Sequence, residues 1–537
     1  MKALFALMHV LTLGRLRASR PVEGNAATMG LGDKLWWGYK FYGHPITQPE
    51  PGKGIREHFA RTGLKAAGFL AAEPAAAKKA GSAVVEEDAV PAPATCYAPT
   101  AAVAPAPAPC NAATAAAAAA PAAPAPTSDR VTLAFAGDIL PSPNLQDGNA
   151  AHLFDDIADF YLGADMRCAN LEAPIVTALE PCWPGENIVA VPRLNTSEAA
   201  FDAVYQDGRG VNIFSTANNH ALDQGASGLL ETLDFLDKKG ALHVGTARSQ
   251  KERDEFPVTG PDKRQPDKCP PSSGQSASEP GLLPGASSGE IRVAWLSWTF
   301  SLNREQLPPG REFLANHLRL NAPDVDIEPL VEQIRRARQE RHADVVVACL
   351  HWGLEYESFP LARQIELGQR IIESGVDIIA GNHPHGLQPV ECHRYRDAEG
   401  RQRTGLIIYG LGDMISDTPQ VKFSALTAVV RVEFAHAADG SVALANAEAR
   451  PLYAYRRYDS QGRCVDLRLL DFRRLLNRLA DEDAGAGGTD AGAGAGGTDA
   501  SAGAGVNEPD GAAQPPLDAE QRREVAILKP LLETLMY

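Results

Sequence analysis

Three low-complexity stretches limit where this chain can build a hydrophobic core. Residues 71–128 are dominated by alanine and proline, residues 250–290 by proline, serine, glycine and lysine, and residues 481–514 by glycine and alanine. Such compositions bury too little apolar surface to offset the conformational entropy that is lost on folding. We therefore predict linkers at 71–128 and 481–514, and a disordered surface insertion at 250–290.

These stretches divide the 537-residue chain into one large part and two small ones. Residues 129–475 are predicted to form a single large domain, because strand and helix patterns are concentrated there. Residues 1–70 contain several aromatic side chains but are too few to fold confidently alone, so they form a small N-terminal region of unknown role. Residues 515–537 regain helical periodicity and are predicted to form a C-terminal helix.

Short apolar strand patterns alternate with helical patterns throughout the predicted domain. One helical pattern places Leu229, Leu233 and Leu236 on a single face, the spacing expected of a helix that covers a sheet. This alternation is typical of an α/β fold. The predicted strands are 131–136, 166–171, 211–216, 291–298, 345–350, 376–380 and 406–409.

Charge and cysteine content exclude several classes of protein. The formal net charge is −16, so no basic surface is available for a nucleic-acid backbone, and nucleic acid is not an expected partner. The eight cysteines include no CxxC pair, which argues against a zinc ribbon.

No apolar run approaches the length of a membrane-spanning helix, so no transmembrane span is expected. Residues 1–20 resemble a secretion signal only in part, and both the bacterial cell envelope and the cytoplasm stay open as locations.

Polar side chains follow five of the seven predicted strands. They are carboxylates, amides and imidazoles, which suit Zn, Mn or Fe. The carboxyl ends of the strands in an α/β sheet form its ligand site, so these side chains are expected to lie together. The set comprises Asp138, Glu172, Asn218, Asn219, His220, His351, His383 and His385.

Each of these residues also has a structural explanation when it is taken alone. Asp138 could cap a turn or a helix, and Glu172 could solvate a loop. Asn218 and Asn219 both tolerate left-handed turns. Coincidence at five strand ends is nevertheless the weaker hypothesis. Glu355 could orient an imidazole ligand, act as an acid–base group or lie in a solvated loop.

Three residues near His220 are given structural roles from the sequence. Gly225 is predicted to permit a turn, and Asp223 to cap the helix that follows. Arg193 is the nearby cation that could anchor a polyanionic substrate, although a structural role is favoured over that one.

Six phrases carry a resemblance to a known family. FAGDIL, ANLEAPI, NNHALDQG, HWGLEYE, GNHPHGLQP and YGLGDMI occur in this order. They resemble the CapA family of poly-gamma-glutamate capsule proteins, which is similar to the calcineurin-like metallophosphoesterases. The resemblance implies a four-layer α/β/β/α sandwich of the metallophosphoesterase type.

The resemblance also implies roles for individual residues. His220 corresponds to the general acid, and the centre would hold one or two divalent ions, Mn, Zn or Fe. From the residues themselves, we expect Asn218, Glu355 and Asp413 as supporting groups behind the ligands. The implied ligands are Asp138, Glu172, Asn219, His351, His383 and His385.

Three departures from the family pattern bear on the metal site. Glu172 stands where the general fold has a bridging aspartate, and its side chain is longer. The expected D-x-H phrase reads Asp138-Ile139-Leu140, so the histidine of the first metal is missing. Family members commonly carry asparagine where this chain has Asp413, whose carboxylate could add an anionic ligand or cap a loop. The number of ions therefore stays open.

The resemblance implies a metal-dependent phosphoesterase or hydrolase in capsule biosynthesis. Its partners would be a cell-surface polymer, poly-gamma-glutamate or exopolysaccharide, or a precursor of it, together with the capsule synthesis machinery. The alternative hypothesis is a non-catalytic polymer assembly or export factor that keeps the same fold. A nucleic-acid phosphoesterase is disfavoured by the acidic balance of the chain.

Overall fold

Apolar residues in the strands face two different cores. The computed structural model describes residues 53–64, 69–70, 130–145, 148–183, 193–260, 290–416, 422–437, 439–486 and 514–535. In the strand Arg130–Ile139, Val131 and Phe135 join one hydrophobic cluster. The intervening Ala134 joins another. Successive side chains of a strand point to opposite faces of its sheet, so this strand is covered on both sides.

The strands of the described residues form two mixed sheets. They are β1 (Phe69–Leu70), β2 (Arg130–Ile139), β3 (Met166–Leu171), β4 (Ile213–Ser215), β5 (Leu242–Val244), β6 (Val258–Thr259), β7 (Val293–Thr299), β8 (Val345–His351), β9 (Ile378–Asn382), β10 (Val390–Arg396), β11 (Gln402–Ile408), β12 (Asp413–Ile415), β13 (Leu426–His436), β14 (Val442–Tyr458) and β15 (Cys464–Asp471). All seven predicted strands are present.

The first sheet has the order β1-β14-β13-β2-β3-β4-β5, with β12 beside β2 and β15 beside β14. The second sheet has the order β10-β11-β9-β8-β7-β6. Strands β2 to β5 pair in parallel, and so do β7, β8, β9 and β11. Each sheet therefore gathers several carboxyl ends at one edge.

Eight helices accompany the sheets in the described residues. They are α1 (Lys53–Thr62), α2 (Glu198–Tyr205), α3 (Gly225–Lys239), α4 (Gln250–Asp254), α5 (Glu328–Gln339), α6 (Ala362–Glu373), α7 (Phe472–Ala486) and α8 (Ala519–Leu535). None of the helices in the described ranges is long and apolar enough to cross a membrane. The predicted face of α3 is buried at Leu229, Leu233 and Leu236.

The apolar clusters define four layers. One cluster joins side chains of both sheets, such as Phe135 of β2 and Val347 of β8, and so lies between them. A second cluster packs the outer face of the first sheet against Phe201 of α2 and Leu236 of α3. A third packs the second sheet against Ile334 of α5 and helix α6. The predicted four-layer α/β/β/α arrangement is confirmed.

The folded region is longer than the sequence predicts. Residues 250–260, assigned to the start of the insertion, form α4 and the edge strand β6 around the buried Phe256. Helix α7 runs to Ala486, past both the predicted end of the domain at 475 and the start of the linker at 481. The predicted boundaries are wrong because the prediction gave more weight to the low-complexity composition than to a few apolar residues, such as the buried Phe256. The rest of the insertion, the linker at 71–128 and most of the linker at 481–514 lie outside the described residues.

Both terminal regions contribute to the same fold. Phe59 of α1 is fully buried against the second sheet. Leu528 of α8 is fully buried in the cluster that includes both sheets. The potential signal at residues 1–20 lies outside the described residues.

Candidate metal centre

The parallel strands bring the predicted polar residues to one place between the two sheets. Register pairs Asp138 of β2 with Asn170 of β3, and His351 of β8 with Asn382 of β9. Glu172 directly follows β3. The resulting cluster is almost entirely buried. Its members include all six predicted ligands, Asp138, Glu172, Asn219, His351, His383 and His385.

Two glycines bring Asp413 beside Asp138. Strand β12 pairs in parallel with β2 and sets these two aspartates opposite each other. A Cβ atom on Gly137 would lie 1.9 Å from the carbonyl oxygen of Gly412, so this close approach requires glycine. Gly412 also adopts φ +76°, a left-handed conformation that favours glycine. This packing adds a second carboxylate to the end of β2.

One group of donors contains Asp138, His385 and Asp413, each offering a ligand atom within 4.8 Å of the others. His385 Nδ1 is 2.8 Å from Asp413 Oδ1 and 3.4 Å from Asp138 Oδ2. We call these three residues the carboxylate position, because two of the three donors are carboxylates.

A second group contains Glu172, His351 and His383, again with ligand atoms within 4.8 Å of one another. His351 Nε2 is 3.5 Å from Glu172 Oε1 and 3.0 Å from Asn219 Oδ1. We call these four residues the imidazole position. The two positions adjoin, because Glu172 Oε1 is also 3.6 Å from His385 Nε2.

Glu355 belongs to a third possible grouping of donors. Its carboxylate lies within 4.8 Å of ligand nitrogens of His383 and His385. It is more exposed than the other members of the cluster. Glu355 therefore stands at the open side of the site.

Unpartnered polar atoms indicate that the cluster fits a divalent cation. Among the described residues, no hydrogen bond reaches Glu172 Oε1, Asp413 Oδ2 or either ring nitrogen of His383. Buried polar atoms are nearly always paired, and each one left unpaired costs about 1–3 kcal/mol. Carboxylate and imidazole donors of this kind are ligands of Zn, Mn and Fe. Bound divalent cations would satisfy the two carboxylate oxygens and one ring nitrogen of His383.

Burial sets the protonation of the cluster. Burial and the nearby Asp138 carboxylate raise the pKa of Glu172 well above its ordinary value. Burial and neighbouring imidazoles hold the pKa of His351 and of His383 well below the usual range, so both rings keep a lone pair for a metal. Burial opposes the charged form of His385 as well, but Glu172 and Asp413 outweigh it and raise the pKa of that imidazole.

The segment His383-Pro384-His385 has a strained backbone. His383 adopts φ 95° and His385 φ 50°, left-handed values that are uncommon outside glycine. Such conformations persist where the surroundings fix them, and they are frequent at functional sites. Here the backbone N–H of His383 donates to Asp138 Oδ2 at 3.1 Å. The strain places both imidazoles in the cluster, with ring centroids 5.8 Å apart.

Asn170 supports the cluster and was not predicted from the sequence. Its Nδ2 donates to Asp138 Oδ1 at 2.8 Å and lies 3.3 Å from His351 Nδ1. Asn218 lies farther from the donor cluster than Asn170, and its Nδ2 donates to Leu171 O at 2.7 Å. Its Oδ1 accepts from the backbone N–H of His220 at 3.1 Å. The sequence places Asn170 two residues before Glu172, but only the strand register shows that Asn170 lies opposite Asp138.

Asp223 pairs with His220, which corrects the predicted capping role. His220 Nδ1 lies 2.6 Å from Asp223 Oδ2, and both side chains are buried. The same oxygen accepts from the backbone N–H of Leu194 at 2.7 Å. Helix α3 begins without a side-chain cap. The carboxylate is turned away from the helix because the Leu194 segment supplies a donor on the other side.

Two aromatic rings pack beside the imidazoles, and neither was predicted from the sequence. The ring of Phe300 packs on that of His383 with centroids 4.5 Å apart. The ring of Tyr356 lies 5.7 Å from that of His385.

Arg193, considered as a substrate anchor, donates to Asp223 O at 3.1 Å and to Glu305 Oε1 at 2.6 Å. These contacts agree with the favoured structural role of Arg193.

Comparisons with known proteins agree with the motifs of the chain. Residues 132–265 and 273–418 match the family described as "Bacterial capsule synthesis protein PGA_cap". The "Capsule biosynthesis protein CapA" of Bacillus anthracis is 24% identical over 296 residues, which are 54% of this chain and 61% of that protein. The "PGA biosynthesis protein CapA" of Bacillus subtilis (strain 168) is 25% identical over 302 residues, 54% of this chain and 64% of that protein. The chain thus spans less than two thirds of the length of either relative.

One solved structure has a weaker likeness. It is a putative 5'-nucleotidase from Staphylococcus aureus in complex with alpha-ketoglutarate, with 15% sequence identity and a TM-score of 0.35. The match covers 66% of this chain and 58% of that one.

Proposed function

We propose that this chain, which belongs to the bacterial capsule synthesis protein family PGA_cap, is a metal-dependent phosphoesterase of the metallophosphoesterase type. The observation that carries the proposal is the buried donor cluster with its unpartnered carboxylate and imidazole atoms. The His220–Asp223 pair beside the cluster provides a group that can transfer a proton. A buried donor cluster next to an acid–base pair is what phosphoester hydrolysis requires.

Six side chains would hold one or two divalent ions, Mn, Zn or Fe. When bound, the ions would supply Lewis-acid polarisation of a phosphoryl oxygen. The chain orients the ligands from behind, because Asn170 fixes the Asp138 carboxylate and Asn218 fixes the loop that carries His220. The six are Asp138, Glu172, Asn219, His351, His383 and His385.

His220 is the proposed general acid. Asp223 accepts from Nδ1 and so leaves Nε2 as the nitrogen that can hand a proton to the departing oxygen. His220 directly follows the predicted ligand Asn219 in the chain, and its backbone N–H donates to Asn218 Oδ1 at 3.1 Å.

The substrate class is proposed from the family. A phosphoester joined to a cell-surface polymer or its precursor suits a capsule protein, and the polymer would be poly-gamma-glutamate or an exopolysaccharide. The capsule synthesis machinery would be the partner. Nucleic acid is not proposed, because the net charge of −16 opposes binding to a phosphate backbone.

Hydrolysis of an aryl phosphodiester by the purified full chain, supplied with Mn, Zn or Fe, tests this proposal. His220→Ala is expected to lower kcat by about 10²- to 10⁴-fold, the usual contribution of a general acid. His436→Ala removes an exposed imidazole at the end of β13 and should leave kcat unchanged. Wild-type activity in His220→Ala would refute the assigned role. A folded wild type that binds metal but turns over no phosphoester would favour the non-catalytic assembly or export factor.

A further inference from the structure

We infer that Asp413 is itself a metal ligand, so that the centre offers two chemically different positions. This inference rests on the proposed function and deepens it, because it assigns a separate class of ion to each position. The carboxylate position would take a hard ion such as Mn²⁺, and the imidazole position Zn²⁺ or Fe²⁺.

The placement of Asp413 supports a ligand role. Register sets it opposite Asp138, and its side chain is only 2% exposed. Its Oδ1 is 2.8 Å from His385 Nδ1. Ser416 also donates to this carboxylate, yet Oδ2 is buried and, within the described residues, has no hydrogen-bond partner. One residue therefore brings a second carboxylate, with an unused oxygen, to the donor group at the end of β2.

A purely orienting role accounts for only half of this carboxylate. If Asp413 served only to accept a hydrogen bond from His385, Oδ1 would be explained. Oδ2 would then be buried without a partner, at a cost of about 1–3 kcal/mol. A ligand role would account for both oxygens, because Oδ2 would be available to an ion while Oδ1 keeps its contact with His385.

The neighbouring sequence explains why the site requires this carboxylate. Leu140, which stands where the resemblance leads us to expect a histidine ligand, is a buried apolar residue and cannot bind a metal. Without Asp413, Asp138 and His385 would be the members of this group that remain. Two donors of its own, beside a Glu172 carboxylate shared with the imidazole position, hold a divalent ion less well than a set of three.

Donor chemistry separates the two positions. The carboxylate position has two carboxylates and one imidazole, and oxygen donors suit Mn²⁺ and Mg²⁺. The imidazole position has two imidazoles, one carboxylate and the Asn219 amide oxygen, a set that suits Zn²⁺ and Fe²⁺. Glu172 lies between the two positions, 3.5 Å from His351 Nε2 and 3.6 Å from His385 Nε2. A centre with two different ions follows from these donors.

Electron paramagnetic resonance of Mn²⁺ tests the inference without reference to activity. The full chain is stripped of metal, loaded with one equivalent of Zn²⁺, and titrated with Mn²⁺ while the signal of free Mn²⁺ is followed. Asp413→Asn keeps an acceptor for His385 and removes the charged ligand, whereas Asp413→Ala removes both. Asp439→Asn, in an exposed hairpin turn, is the matched control.

The wild type and Asp439→Asn are expected to bind one equivalent of Mn²⁺ beside Zn²⁺. If Asp413 is a ligand, loss of its charge in Asp413→Asn should weaken Mn²⁺ binding by more than about 100-fold, the upper end of what the loss of a supporting group costs. Both Asp413 variants should still bind Zn²⁺, which also shows that they are folded. Wild-type affinity for Mn²⁺ in Asp413→Asn would overturn the inference. Failure of the proposed function is a separate outcome, namely a wild type that binds both ions as described but hydrolyses no phosphoester.

Discussion

Replacing Asp223 with asparagine measures how much the negative charge of Asp223, the residue that pairs with His220, contributes to activity. Asp223 Oδ2 receives hydrogen bonds from His220 Nδ1 at 2.6 Å and from Leu194 N at 2.7 Å. The amide oxygen of asparagine can occupy the same place and accept both bonds. The fold and the orientation of the imidazole should therefore survive, while the negative charge is lost.

The expected size of the effect follows from that charge. A hydrogen bond to a charged group contributes about 1.5–3 kcal/mol, and one between neutral groups about 0.5–1.5 kcal/mol. Because both side chains are buried, water screens this interaction only weakly. The difference of about 1–2 kcal/mol corresponds to a fall in kcat of about 5- to 30-fold.

Leaving groups of different basicity provide the assay. A general acid matters most when the departing oxygen is a poor leaving group, so Asp223→Asn should slow a phenyl ester more than a p-nitrophenyl ester. The KM of both esters should stay near the wild-type value, because no ligand or substrate contact is removed. An equal loss of kcat with both esters, or no loss with either, would refute the assignment of His220 as the general acid.

Three further predictions concern the stability of the fold. Gly137→Ala should lower the free energy of unfolding in urea by at least about 1–3 kcal/mol and abolish metal binding, because its Cβ would lie 1.9 Å from Gly412 O; a wild-type urea midpoint would contradict the close approach. Leu528→Ala should cost about 2–5 kcal/mol in the same assay, since Leu528 is fully buried, and a negligible change would show that α8 does not pack there. Burial favours a raised pKa at Glu391, but hydrogen bonds from His58 and two other donors outweigh it and lower that pKa below 4.5. A carboxyl group whose pKa is lower in the folded than in the unfolded state stabilises the fold at pH values above its unfolded pKa, and this stabilisation is lost as the pH falls through its folded pKa. The stability advantage of wild type over Glu391→Gln should therefore shrink below about pH 4. A difference in stability that does not depend on pH would contradict this.

The sequence predicted the class of fold and most of the site because both depend on local patterns. Apolar runs of strand length located all seven predicted strands. Because parallel strands share an edge, the residues after those strands were expected to lie together, and the ligand atoms of Glu172, His351 and His383 do lie within 4.8 Å of one another.

What could not be predicted depends on contacts between distant parts of the chain. Strand β12 lies beside β2 only because Gly137 and Gly412 permit a close approach, and no local pattern announces that pairing. Asp223 was assigned to a helix cap, since the donor that draws it away belongs to Leu194 in another segment. The folded residues 250–260 were missed because one buried aromatic, Phe256, holds a segment of polar composition.

The metal content of the purified full chain tests the central claim most directly. Elemental analysis of the wild type should find one or two equivalents of Mn, Zn or Fe per chain. Asp138→Ala and His383→Ala each remove a donor from a different position, and each should lose metal while remaining folded. A folded wild type without metal, or both variants with wild-type metal content, would contradict the account.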